Sequence, residues 1–215
     1  VAFIGSTGSG KSTLVNLIPR FFDVTEGAIC IDGVDIRDMD IKDLRSRLGY
    51  VPQKGVLFSG TIESNLRFGA GEASMEELNK AADIAQASEF IAAKDDGMQS
   101  PIAQGGTNVS GGQKQRLSIA RAVAKRPEIY IFDDSFSALD YKTDAALRQA
   151  LKKETSEATT LIVAQRISTI LHADKIMVLD NGNVVGSGTH KELLKSCEVY
   201  QQIAKSQLSK EELEA

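Results

Sequence analysis

Gly5, Ser6, Thr7, Gly8, Ser9, Gly10, Lys11 and Ser12 spell Gly-x₄-Gly-Lys-Ser, an order of residue types suited to holding phosphate. The glycines let the backbone curl so that successive N–H groups point inward at the β-phosphate of a nucleoside triphosphate. Lys11 would set a point charge against the β- and γ-phosphates, and the Ser12 hydroxyl would be a ligand of Mg²⁺. Thr13 continues the same run into the next element. The competing explanation is a chance glycine-rich turn. A phosphate loop must lie between a strand and a helix, and this run has both flanks: apolar residues 1–4 before it and an amphipathic stretch over 12–22 after it.

A second group belongs to the same chemistry. Glu128-Ile129-Tyr130-Ile131-Phe132 reads as a buried strand, and it ends on the carboxylate of Asp133. In phosphate-loop nucleotide hydrolases an Asp at this strand end holds Mg²⁺, usually through water. Asp133 as a cap of the following turn is the alternative. Two halves of one ATP–Mg²⁺ site, each at a strand end, favour the metal role.

The composition bounds what surrounds these residues. With 215 residues the chain is long enough for a real core, as one large domain or two small lobes. Its hydrophobic fraction of 42% and charged fraction of 25% are those of an ordinary globular protein. No apolar run approaches a membrane span, so a membrane connection must come through another segment or chain. A net charge of −4 argues against a dedicated nucleic-acid binder. The two cysteines, Cys30 and Cys197, show no metal spacing, and Cys30 in its apolar run is expected to be a buried reduced thiol, as in a cytosolic protein. The chain opens on Val1 as if in mid-strand, without a signal peptide, so a fragment is expected.

The elements that must position the site follow from periodicity. Residues 28–31 and 34–36 flank Asp32-Gly33 and predict a hairpin. A short helix over 41–47 and a strand over 48–51 come next. From 61 to 125 the reading is mostly helical, over 74–86, 87–93 and, after a glycine-rich loop at 105–112, 113–125. Beyond Pro127, strands over 128–132, 160–164 and 175–179 alternate with helical stretches over 142–153 and 168–172; Asn181-Gly182 turns into 183–186, and helices over 190–194 and 199–208 close the chain. Apolar strands alternating with helices predict an α/β fold with a mainly parallel sheet covered on both faces.

Val109-Ser110-Gly111-Gly112-Gln113, running into Lys114-Gln115-Arg116-Leu117-Ser118, closely resembles the signature motif of ABC ATPases. Ser110 and the N–H groups of Gly111 and Gly112 would form an anion site at a helix N-terminus. The resemblance implies that they read the γ-phosphate on a partner's loop, in a sandwich of two nucleotide-binding domains. Gln53 in Tyr50-Val51-Pro52-Gln53 resembles the Q-loop glutamine, implied to contact Mg²⁺ and the attacking water and to couple to a membrane domain. Ser137 and Asp140 in Ser137-Ala138-Leu139-Asp140 resemble the interface-crossing D-loop. Residues 58–66 are similar to the stretch after the Q-loop in ABC exporters, and residues 186–190 to the closing strand and helix, with His190 structural. The likeness covers residues 1 to about 204. It implies a nucleoside-triphosphatase core at 1–58 and 127–208, a helical signature subdomain at 59–126 and a frayed tail at 209–215. Part of the β-subdomain and the adenine-stacking aromatic would lie upstream of Val1.

Three positions depart from the family pattern. Its catalytic Glu is here Asp134, its switch histidine is Gln165, and a coupling Glu is Gln104. Asp134 is one methylene shorter, so its carboxylate falls roughly 1–1.5 Å short of the water, enough to cost on the order of a hundredfold in rate. Gln165 can donate a hydrogen bond to a γ-phosphate but carries no positive charge. His172 and His190 are not placed to substitute. The pattern resembles the degenerate half of a heterodimeric ABC exporter of the multidrug or lipid type. The expectation is therefore an ATP- and Mg²⁺-binding ATPase at the cytoplasmic face of the membrane. Its own catalytic set would be Asp134, Gln165 and Gln53, its metal set Ser12, Gln53 and Asp133, and its turnover low. The expected partners are a second nucleotide-binding domain with intact Glu and His and the transporter's transmembrane domain, with no nucleic acid. A homodimeric exporter with two slow sites, and a soluble ABC ATPase, are the alternatives.

Overall fold

The computed structural model describes residues 1–209. Residues 210–215, most of the segment expected to fray, lie outside the described residues. The chain forms two compact units, one of Val1–Leu44 with Thr160–Ala215, the other of Arg45–Thr159.

The first unit begins with β1 (Ala2–Gly5), the loop, and α1 (Lys11–Asn16). The hairpin follows as β2 (Cys30–Ile31) and β3 (Val34–Asp35), and α2 (Ile41–Ser46) carries the chain across the division. Asp32 and Gly33, at φ 53° and 82°, make the hairpin turn with positive φ at both central residues, as an Asp-Gly pair favours.

The second unit contains β4 (Leu48–Val51), β5 (Gly60–Thr61), α3 (Ile62–Arg67), α4 (Met75–Ile84), α5 (Ser88–Ala92), β6 (Pro101–Ile102), α6 (Gly111–Ala124), β7 (Ile129–Asp133) and α7 (Tyr141–Glu154). Here β4 and β7 pair in parallel, with Leu48 opposite Ile129 and Val51 opposite Phe132. Helices α3 and α4 both pack on α6, burying Leu66, Leu78, Leu117 and Ile119 completely. Each of these three helices starts in a capping box: Thr61 with Ser64, Ser74 with Glu77, Ser110 with Gln113.

After β8 (Thr159–Val163) the first unit closes with α8 (Ile167–Ile170), β9 (Ile176–Asp180), β10 (Asn183–Gly188), α9 (His190–Ser196) and α10 (Glu198–Gln207). Its strands lie in the order β10, β9, β1, β8. Strand β1 is parallel to β8 and β9, and β10 is antiparallel to β9. Ala2 and Ile4 of β1 and Ile176 and Val178 of β9 are fully buried against Ile167, Leu193 and Tyr200, which is why these strands read as near-continuous apolar runs. The α/β class and the mainly parallel sheet are those the sequence implied. Among the described residues no helix is long and apolar enough to cross a membrane.

Three local expectations are corrected. The helix expected over 12–22 ends at Asn16. Leu17 and Ile18 bond three residues back, to Leu14 and Val15, and Arg20 sits at φ 52°. Pro19 has no N–H to continue a helical ladder. Phe21 and Phe22 are left exposed. Cys30 is exposed and Cys197 is the buried thiol. A ribbon of two residues per strand, with Cys30 opposite Asp35, does not enclose it. Helix α6 begins at Gly111, two residues before the sequence placed it, because Ser110 caps it there.

Candidate functional site

Strand β1 delivers the chain into the loop at Gly5, where a side chain is impossible: a Cβ would stand 2.1 Å from Leu179 O and 2.7 Å from Ser9 Oγ. Gly8 and Gly10, at φ 81° and 96°, turn the backbone back on itself. The N–H of Ser9 bonds Ser6 O at 3.2 Å, and Leu14 N–H bonds Gly10 O at 2.9 Å to start α1. Gly10 is the N-cap of that helix, so no side chain occupies its N-terminus, and no acidic residue lies in its first turn. Lys11 is 8% exposed. Its ammonium donates to Gly5 O at 2.9 Å, Ser6 O at 2.8 Å and Ser9 Oγ at 3.3 Å. These acceptors are neutral, and a charged phosphate oxygen would compete well for the same cation. Ser12 is partly buried and Thr13 exposed, both in the first turn.

In the second unit Asp133 ends β7 and Asp134 follows it, 4% and 7% exposed. Asp134 adopts φ 47°, a left-handed conformation in which Asp is better tolerated than most residues. Gln53, just beyond β4, donates Nε2–H to Asp134 Oδ2 at 2.9 Å. The Tyr50 hydroxyl reaches Asp133 Oδ2 at 3.5 Å. Burial, reinforced by that carboxylate, pushes the Tyr50 phenol up to about 12. Ser135 Oγ–H donates to Val51 O at 2.9 Å, so the ends of β4 and β7 are tied by side chains as well as by the sheet. The structure thus brings Gln53 to Asp134 directly. Ser137 Oγ–H donates back to Asp134 O at 3.0 Å, and Asp140 caps α7, accepting from Thr143 N at 3.0 Å. The hydrogen bonds from Thr143 hold the Asp140 carboxyl below its ordinary range.

Ser110 is the exposed N-cap of α6. Its Oγ accepts from Gln113 N at 3.2 Å, and Gln113 Oε1 accepts from Ser110 N at 3.1 Å. Nothing crowds Gly111, whereas a Cβ on Gly112 would meet Ala138 O at 3.4 Å, so this helix end lies beside the 137–140 segment. In the first unit Gln165 follows β8, exposed, with its carbonyl accepting from Gln207 Nε2 at 2.8 Å. His190 pairs Nδ1 with the Tyr200 hydroxyl at 2.7 Å and meets that ring edge-on, a packing role. Burial, then the charges of Lys191 and His172, lower its titration.

Residues 1–137 match the family model described as ABC transporter. The chain belongs to that family. It is 51% identical over 209 residues, 96% of its length, to an "Uncharacterized ABC transporter ATP-binding protein" of Mycobacterium bovis, 36% of which is covered. It is 47% identical over 203 residues to a Staphylococcus aureus "Putative multidrug export ATP-binding/permease protein", covering 94% of this chain and 35% of that one. The solved structure of a bacterial Atm1-family ABC exporter with ATP bound superposes with a TM-score of 0.93 at 40% identity, over 95% of this chain and 36% of that one. The chain therefore spans about a third of the length of these ABC relatives.

Two residues beside the site were not singled out from the sequence. Tyr50 stands in the Tyr50-Val51-Pro52-Gln53 run, where nothing in the sequence signals its contact with Asp133. Gln115 is a polar residue on the buried stripe of α6 with Ser118, Ile119 and Ala122, at helical spacing, and that placement was the available signal.

Proposed function

We propose that this chain is the ATP-binding and ATP-hydrolysing domain of an ABC exporter, working at the cytoplasmic face of the membrane to drive efflux of drugs or lipids. The observation that carries the reading is the Lys11 ammonium gathered inside a glycine-shaped loop at a helix start that no side chain caps. Residues 5–13 would hold the triphosphate through backbone N–H groups and the Lys11 charge. Ser12, Asp133 and Gln53 offer hydroxyl, carboxylate and amide oxygens, the hard donors that suit Mg²⁺. When bound, Mg²⁺ would neutralise charge on the triphosphate.

The finer reading is asymmetry. Asp134 is the base at this chain's own nucleotide, short by a methylene, and Gln165 stands where a cationic histidine would stabilise the developing charge. Its carboxylate is steadied by the bond from Gln53. Ser110, Gly111, Gly112 and Gln113 complete the faster site of a different partner domain, with Ser137 and Asp140 at the same interface. The partner carries the intact Glu and His.

Turnover measured on the intact transporter tests this. Asp134→Asn is expected to leave most of the ATPase activity, while Glu→Gln at the partner's equivalent position abolishes it. Asp134→Glu combined with Gln165→His should raise turnover at this chain's own site about a hundredfold. Equal loss from Asp134→Asn and the partner change would defeat the asymmetric reading. A purified complex whose mass fits two copies of one chain would establish the homodimer with two slow sites instead.

A further inference from the structure

Gln115 lies on the buried face of α6, 2% exposed, and both ends of its amide are used. Oε1 accepts from Gly55 N–H at 2.8 Å, and Nε2–H donates to Pro52 O at 3.1 Å. Those two backbone groups flank Gln53 and Lys54, so one side chain grips the loop on both sides of Gln53. The approach is close as well. A Cβ at Gly55 would stand 2.8 Å from Ser118 Oγ and 2.9 Å from Lys114 O, so the loop backbone rests directly on the helix. Arg121, on the same helix, extends the fastening by donating from Nη1 to Val56 O at 2.9 Å. At the far side of the loop Gln53 holds Asp134 at 2.9 Å.

We infer that Gln115 is a positioning residue for hydrolysis: it ties the placement of Gln53, and through it the Asp134 carboxylate, to the helix whose first residues are the signature. One series of contacts then runs from Ser110 at the start of α6, through Gln115 and the 52–55 loop, to the base. The inference rests on the roles proposed above for Asp134 and for residues 110–113. Glutamine is the side chain this task needs, since it carries a donor and an acceptor on one planar group of the right reach. Glutamate would keep the acceptor for Gly55 but turn an oxygen toward Pro52 O. Leucine would fill the space and hold neither group, leaving a part-buried N–H and C=O unmatched. Ser118, on the same face, holds neither group, since its buried hydroxyl makes no hydrogen bond here.

The test uses the intact transporter with hydrolysis at the partner's site silenced, comparing Gln115→Leu, Gln115→Glu, Gln53→Ala, the double Gln115→Leu/Gln53→Ala and Ser118→Ala. Gln115→Leu should lower kcat about tenfold, the scale on which a residue acting through others modulates a site. KM for ATP should move by less than about twofold, because the phosphate loop is untouched. Gln115→Glu should fall between wild type and Gln115→Leu, and Ser118→Ala should match wild type. The double variant should be no slower than Gln53→Ala alone, since both changes break one chain of contacts. Independent, multiplying losses in the double variant would overturn the inference, as would a KM that rises in step with the loss of kcat. If Gln115→Leu fails to fold, Gln115→Glu with and without Gln53→Ala carries the same comparison. A wild-type site that shows no turnover at all sinks the underlying assignment of Asp134, a failure distinct from either.

Discussion

Residues 5–12 and residues 110–113 both lead into a helix N-terminus, and they treat its N–H groups in opposite ways. The first loop leaves α1 without a side-chain cap and crowds a cation into its curve, with Lys11 on Gly5 O, Ser6 O and Ser9 Oγ. The second closes a capping box, Ser110 and Gln113 each accepting from the other's N–H. The first loop carries a lysine ammonium inside its own curve. The second is closed by its own side chains, with the Arg116 guanidinium donating to Gly112 O at 3.4 Å. On the roles proposed above, the difference separates a binder from a reader within a single chain. A binder would need strong, charge-assisted bonds to a free nucleotide, whereas a reader, as proposed for residues 110–113, would need only to recognise a phosphate delivered on another domain. A serine hydroxyl that accepts from a cap N–H still has its hydrogen to donate, so Ser110 can keep its helix capped while touching an oxygen of that phosphate.

Lys11 is where the two loops should differ most. Lys11→Ala should weaken ATP binding to this chain about a hundredfold, the order expected when a charge-assisted contact to phosphate is lost from a largely buried site. A fluorescent nucleotide titrated against the intact transporter, with the partner's loop disabled, measures it. Ser110→Ala in the same assay should change that affinity little. If the two variants weaken binding equally, the loops do not divide the work as proposed.

What could be read in advance, and what could not, separates by sequence distance. Residues 5–12 were legible because a phosphate loop is contiguous and its shape is set by backbone, and the parallel strands because burial on both faces writes them as apolar runs. The Asp32-Gly33 turn was legible for the same local reason. Where tertiary context decides, the reading failed. Cys30 sits in an apolar run but on a two-residue ribbon that leaves it exposed, and residues 17–22 keep a helical pattern that Pro19 and the left-handed Arg20 do not allow to continue. The bonds that join Gln53 to Asp134 and Gly55 to Gln115 were out of reach altogether. Gln53 and Asp134 lie 81 positions apart, and Gly55 and Gln115 lie 60 apart. No periodicity announces such a pair. The most that the sequence offers is a glutamine on the apolar stripe of α6.

The second loop can be taken apart in two smaller steps. Ser110→Ala removes the cap and should cost about 1 kcal/mol of stability, read as a lower thermal midpoint. It should also slow the partner's site, because the hydroxyl is lost to the phosphate as well. Ser110→Asn separates these roles, since asparagine caps as well as serine. Stability close to wild type with slow partner turnover is the expected result, and full turnover would mean that the hydroxyl serves the helix alone.

Gln113→Ala is the mildest change. It removes the acceptor for Ser110 N–H, the reciprocal half of the box, and leaves the Ser110 Oγ bond to the residue-113 N–H intact. Ser110 is exposed, so its N–H turns to water rather than being stranded, and the cost should be no more than about 0.5 kcal/mol. Chemical denaturation of Gln113→Ala beside Ser110→Ala measures both on one scale. A loss as large as that of Ser110→Ala would mean the box acts as a single unit. The self-satisfied state of this loop would then be what a delivered phosphate has to open, and the reader would differ from the binder in cost as well as in charge.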